Sequence, residues 1–176
     1  DTMPSAAKPI SWRDRVRVFF DLFKLRIGLV IGFTAVAGSA VTPGPATSAW
    51  DILLLMLAVT MASAAAGAYN QYAERDLDVL MKRTRRRAFV TGRLRAGPGW
   101  LAAIIAIGVA GVVLAAVAFN AMAALYTFLG AFTYGVVYTV WLKRRTWWNI
   151  VVGGLAGSFA VLAGAAAVTP DSLGAL

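Results

Sequence analysis

Asn70-Gln71-Tyr72-Ala73-Glu74-Arg75-Asp76-Leu77-Asp78 sets three carboxylates at the end of an apolar run, just ahead of the basic tract Lys82-Arg83-Thr84-Arg85-Arg86-Arg87. At about 100° per residue, Asn70, Glu74 and Asp78 fall within about 80° of one another on a helix, so an amide and two acids line one stripe. Asp76 lies about 200° from Glu74 and leaves that stripe. Such oxygen donors suit Mg²⁺, which takes one or two carboxylates together with phosphate oxygens. The cations that follow suit a phosphate's remaining charge. The pattern points to chemistry on a phosphorylated lipid or isoprenoid.

The rest of the chain sets the solvent in which this motif sits. Of 176 residues, 60% are hydrophobic and the mean hydropathy is +0.71. Apolar runs of about 20 residues match the length that crosses a bilayer as a helix. The expected fold is therefore an all-α, polytopic membrane bundle, with spans near 22–42, 52–72, 99–119, 121–142 and 150–168. Thr42-Pro43-Gly44-Pro45, Gly97-Pro98-Gly99 and Phe119-Asn120 punctuate them. Residues 1–26 form a tail and an interfacial segment, in which Trp12 to Arg26 alternates cations with Val16, Phe19, Phe20, Leu22 and Phe23. The bundle covers 22–168 with its catalytic loop at 74–98, and 169–176 is a short tail. Cysteine and histidine are absent, which excludes disulfides, thiolate chemistry and an imidazole base. No span carries an ionisable residue near its centre, which argues against a transporter. The small residues Ala62 to Ala68 allow close helix approach beneath the acidic motif, and Gly108, Gly111, Gly153, Gly154 and Gly157 allow it elsewhere.

Charge gives the topology. All 17 Lys and Arg fall in three clusters: Lys8 to Arg26, Arg75 to Arg95, and Lys143-Arg144-Arg145. The connections 43–51 and 119–121 and the tail carry none. The positive-inside rule then puts the N-terminus, the acidic motif and every cation on the cytoplasmic face, or on the matrix side in a mitochondrion. Membrane flanking accounts for most of the net charge of +9, so no nucleic-acid partner is expected. Loop 74–98 exceeds that need, with eight cations. Two readings of its acids stay open: a metal stripe, or a solvated ion network with Arg75, Lys82 and Arg83, in which Asp76 orients an arginine.

The motif Asn70-x-x-x-Glu74-x-x-x-Asp78 resembles the first aspartate-rich motif of the UbiA-type intramembrane prenyltransferases. The longer string Asn70 to Arg87, ending in Val90-Thr91-Gly92-Arg93, is similar to the protoheme IX farnesyltransferase (haem O synthase) branch. A second string supports that branch: Tyr134 to Lys143-Arg144-Arg145-Thr146, then Asn149 to Gly157. The resemblance implies Mg²⁺ at Asn70, Glu74 and Asp78, with Asp76 a weaker ligand, and through the metal a farnesyl diphosphate. It implies that Lys82, Arg83, Arg86 and Arg87 bind the diphosphate and that Tyr72, Tyr126, Tyr134 and Tyr138 line the prenyl and carbocation pocket. Haem b would be the acceptor substrate, with Lys143, Arg144 or Arg145 attracting its propionates, although membrane flanking explains those cations equally well. Trp141, Trp147 and Trp148 read as an interfacial belt.

The implied setting is a multi-pass protein of the bacterial inner membrane, or the mitochondrial inner membrane, in the bilayer near haem A synthase or oxidase-assembly proteins. The family has about nine spans and a second aspartate-rich motif, whereas five spans and a lone later Asp171 are present here. That difference suggests a truncated chain, or one that borrows the second motif, and keeps open a non-catalytic scaffold for haem or oxidase assembly. Prenyl transfer to an aromatic quinone precursor is the other alternative. Ala88 stands where the family commonly has proline, a change expected to loosen the basic loop. Ser158-Phe159-Ala160-Val161 replaces a proline-rich stretch, which favours a straight last helix.

Overall fold

The computed structural model describes residues 11–142 and 149–169. Helix α1 (Trp12–Leu22) leads into α2 (Leu25–Val41), α3 (Ala49–Ala73), the single turn α4 (Arg75–Asp78), α5 (Pro98–Ala118), α6 (Ala121–Phe132) and α7 (Asn149–Val168). Between α6 and α7 the helix widens into a π-helical segment, Thr133–Leu142. Among the described residues there is no strand. The chain is a multi-pass membrane protein. Ala49–Ala73, Pro98–Ala118 and Ala121–Trp141 are long and apolar enough to cross a bilayer, and Leu25–Val41 and Gly154–Val168 are shorter apolar helices. All five coincide with the expected spans. Helix α2, at 17 residues, falls at the short limit of a crossing because its entry is broken at Lys24.

Three helix starts have a local cause. Ser48 and Asp51 cap α3 reciprocally, with 3.1 Å bonds in both directions. Pro98 occupies the first turn of α5, and the Asn120 side chain accepts from Ala123 N at 2.9 Å at the start of α6. The end of α1 is tied down from outside: Gln71 Nε2 donates to the carbonyls of Asp21 at 2.8 Å and Leu22 at 3.2 Å, orphan acceptors of a helix C-terminus. Val18, Leu22 and Phe23 are buried while Trp12, Phe19 and Phe20 stay exposed, so α1 docks one face and offers the other to lipid.

Helix α3 is the central element, packed against α2, α5, α6 and the π-helical segment. Its Ala62, Ala64, Ala65, Ala66, Gly67 and Ala68 are buried, as a close-packed helix core requires. A Cβ on Gly111 of α5 would stand 2.7 Å from Ala58 O, so only glycine allows that crossing. On α2 and α7, a Cβ on Gly164 would strike Ala35 O and one on Gly38 would strike Val161 O. A Cβ at Gly154 or Gly157 would meet nothing within 4 Å among the described residues, so neither supports a close helix approach within the chain. Helix α7 runs without a break, as the absence of proline implies.

Candidate functional site

The site lies where α3 ends. Glu74, at φ −97° and ψ 3°, leaves the helix, and α4 restarts at Arg75; yet Asp78 N still bonds to Glu74 O at 2.9 Å. The break is small, so Asn70, Glu74 and Asp78 stay on one side and all three are buried. Asn70 Nδ2 donates to Glu74 Oε2 and to Thr139 Oγ1, each at 3.1 Å, and Asn70 Oδ1 accepts from Lys24 Nζ at 3.1 Å. Arg87 Nη1 stands 2.6 Å from Asp78 Oδ2 and 3.8 Å from Glu74 Oε2. Two buried carboxylates therefore converge on one guanidinium.

The loop that delivers Arg87 is a series of turns held at two points. Thr84 Oγ1 donates to Asp78 O at 3.1 Å, and Phe89 inserts into an aromatic cluster, edge-on to Tyr72 at 5.6 Å and to Trp100 at 6.1 Å. Ala88 is buried beside it. Across from the acids, Lys24 Nζ donates to Tyr134 OH at 3.0 Å, and the Tyr134 and Tyr138 rings stack at 5.9 Å. The π-helical winding matters here. It brings Thr139, five residues after Tyr134, back to bond the Tyr134 carbonyl at 2.8 Å while its oxygen receives the Asn70 amide.

Lys24, Asn70, Arg83, Arg87, Tyr134 and Tyr138 border a cavity of about 460 Å³, while Glu74 and Asp78, bonded to Asn70 and Arg87, are not among its lining residues. A second cavity of about 310 Å³ adjoins it through the shared residues Ile27 and Tyr134. Its walls are apolar, from Ile31 and Val59 to Tyr126. A cation-lined chamber next to an apolar one fits a ligand with an anionic head and a hydrocarbon tail.

The family model described as the UbiA prenyltransferase family matches residues 31–176. The chain belongs to that family. Among its UbiA-family relatives, a protein named protoheme IX farnesyltransferase 2 from Paramagnetospirillum magneticum is 56% identical over 88% of this chain and 54% of its own length. Protoheme IX farnesyltransferase 1 of the same organism is 48% identical over 86% of the chain and 53% of its own length. One from Cenarchaeum symbiosum, also named protoheme IX farnesyltransferase 1, is 44% identical over 91% and 56%. The chain spans about half the length of the curated relatives it matches. No solved structure matches. UbiA-family enzymes generally bind diphosphate through a divalent metal.

Within this UbiA-family bundle the expected residues separate by position. Asn70, Glu74, Asp78, Arg83, Arg87, Tyr134 and Tyr138 come together at one end. Lys82, Arg86 and Asp76 are exposed and do not border the chamber. Asp76 adds no third carboxylate: among the described residues no group of three His, Cys, Asp or Glu side chains forms. Glu74 and Asp78 pair with Arg87, which the expected ion network did not include, and Arg75 stacks on the Tyr72 ring at 4.9 Å. Tyr72 lies apart from both cavities. Two residues past Asn70, it points about 200° away on the helix and packs against Phe89 instead of lining the prenyl pocket. Tyr126 lines the apolar cavity, stacked on Phe159 at 6.5 Å. Lys143, Arg144 and Arg145 lie outside the described residues, as does Asp171. Sequence reasoning missed Lys24 and Thr139 as site residues, the first because it reads as a membrane-flanking cation.

Proposed function

We propose that the protein is a Mg²⁺-dependent protoheme IX farnesyltransferase and that this chain holds the diphosphate end of its active site. The reaction would move the farnesyl group of farnesyl diphosphate to a vinyl group of haem b, giving haem O for haem–copper oxidases. The observation that carries the reading is the paired chamber: three cations, Lys24, Arg83 and Arg87, beside an apolar cavity. The names borne by relatives at 44–56% identity supply the acceptor.

The donor set fits a hard divalent ion in kind, since oxygens of Glu74 and Asp78 already converge on a single cationic atom. When bound, Mg²⁺ would withdraw charge from the diphosphate. Glu74 and Asp78 would hold it, and Asn70 would orient Glu74. Arg83 and Arg87 would take the charge that develops on the leaving diphosphate as the allylic C–O bond breaks and its electron pair departs. Lys82 and Arg86, on the exposed side of the same loop, would reach that diphosphate only if the loop moves. Tyr134 and Tyr138 present ring faces to the allylic cation, and the apolar cavity keeps water from it. The vinyl π electrons would then form the new C–C bond, and water would complete a hydroxyethylfarnesyl substituent with loss of a proton.

The proposed setting is a bacterial inner membrane with the N-terminus and the site on the cytoplasmic face, as the three cation clusters support. Haem A synthase and oxidase-assembly proteins are the proposed neighbours. The test assays the full-length protein with haem b plus farnesyl diphosphate, against 4-hydroxybenzoate plus a polyprenyl diphosphate. Mg²⁺-dependent formation of haem O is expected; conversion of the aromatic acid alone would contradict the reading.

A further inference from the structure

Lys24 is built into the site at a structural cost. It is the only non-glycine residue with positive φ among the described residues, at 46°, in the two-residue joint between α1 and α2. A left-handed lysine is strained and persists where its surroundings over-determine it. Three features do so. Gln71 clamps the carbonyls of Asp21 and Leu22 just before the joint. Gly67 on α3 leaves a slot for the aliphatic stem, since a Cβ there would stand 3.3 Å from Lys24 Cδ and 3.5 Å from its Cβ. At the far end the ammonium donates to Asn70 Oδ1 and to Tyr134 OH.

The consequence concerns the Asn70 amide. An amide has two faces, and a lysine ammonium can only donate. By binding Oδ1, Lys24 forces Nδ2 toward the acids, where it donates to Glu74 Oε2. The reversed amide would set Oδ1 against a carboxylate and Nδ2 against an ammonium. We propose that Lys24 is a positioning residue of the diphosphate site: it fixes the orientation of Asn70, and thereby of Glu74, while tying Tyr134 to the same point. This rests on the reading of Asn70, Glu74 and Asp78 as the diphosphate site. It joins α2, α3 and the π-helical segment through one nitrogen, so the acidic and aromatic halves of the chamber share a hinge.

The experiment measures Mg²⁺-dependent binding of farnesyl diphosphate by calorimetry on the full-length, detergent-solubilised protein. The panel is wild type, Lys24→Met, Asn70→Ala, the Lys24→Met/Asn70→Ala pair and Tyr134→Phe. Lys24→Met should weaken binding about ten-fold, the worth of a charge-assisted hydrogen bond, with a cooperative melt retained. The pair should bind more tightly than the product of the two single losses, because most of the effect of Lys24 passes through Asn70. Tyr134→Phe, which keeps the ring and the fold, should lose a few-fold. Multiplying losses in the pair would overturn positioning and assign Lys24 a direct contact with the diphosphate. Unchanged binding in Lys24→Met would overturn any role, and unchanged binding in Tyr134→Phe would remove the tyrosine half. A wild type that fails to bind removes the diphosphate site itself, and the role of Lys24 with it.

Discussion

Arg87 is the residue whose removal should expose the electrostatics of the cluster. The side chains of Glu74 and Asp78 are only 3% exposed, and Arg87 itself is 17% exposed. At an effective dielectric near 20, unit charges at the observed 2.6 and 3.8 Å attract by about 6 and about 4 kcal/mol before desolvation is counted. Desolvation absorbs part of this, and deleting one partner of a buried pair costs about 3–5 kcal/mol net, because the orphaned charges stay buried. Arg87→Met in the detergent-solubilised protein should therefore melt about 10 °C lower. Intrinsic fluorescence of the six tryptophans can follow the melt. Arg86→Met, one residue away and exposed, is the control and should shift the melt little. Adding Asp78→Asn to Arg87→Met removes the closer orphaned charge and should restore much of the loss. Equal melts for Arg87→Met and Arg86→Met, or no recovery in the double variant, would refute the account of the cluster as a guanidinium-bridged acid pair.

Phe89→Ala should unpin the basic loop, since its ring joins Tyr72 and Trp100; removing a buried phenylalanine costs about 3–5 kcal/mol. Amide exchange should rise across the loop, from Met81 to Leu94, while α3 and α5 stay protected, and uniform protection would contradict the anchor. Gly164→Ala should part α2 from α7, because the new methyl would strike Ala35 O. A lowered melt with loss of the α2–α7 contact, read by cross-linking between engineered cysteines, is expected in a chain that has none of its own.

The elements legible in sequence were those governed by long averages or strict periodicity. Five apolar runs became five apolar helices, and a period of 3.6 put Asn70, Glu74 and Asp78 on one side across a helix break that it did not foresee. Direction around the helix explains why Tyr72, two residues past Asn70, packs on Phe89 instead of facing the chamber. Thr139 was hidden by the assumed period, since only the wider π-helical turn brings it under Asn70. Lys24 was hidden by a rule that explains any lysine near a membrane edge. Its signal, a lysine between two helices that faces a small residue on a third, exists only in three dimensions. Of the basic tract, Arg87, two before the buried Phe89, turned inward, while Lys82, Arg85 and Arg86 stayed exposed. Composition cannot make that distinction.

The claim most in need of measurement is that the buried acids serve a metal–diphosphate complex. Calorimetric titration of farnesyl diphosphate into the full-length protein, with and without Mg²⁺, compares wild type with Glu74→Gln and Asp78→Asn. The account predicts binding that requires Mg²⁺ in the wild type and is lost in both variants. Metal-independent binding, or binding unchanged by either substitution, would contradict it.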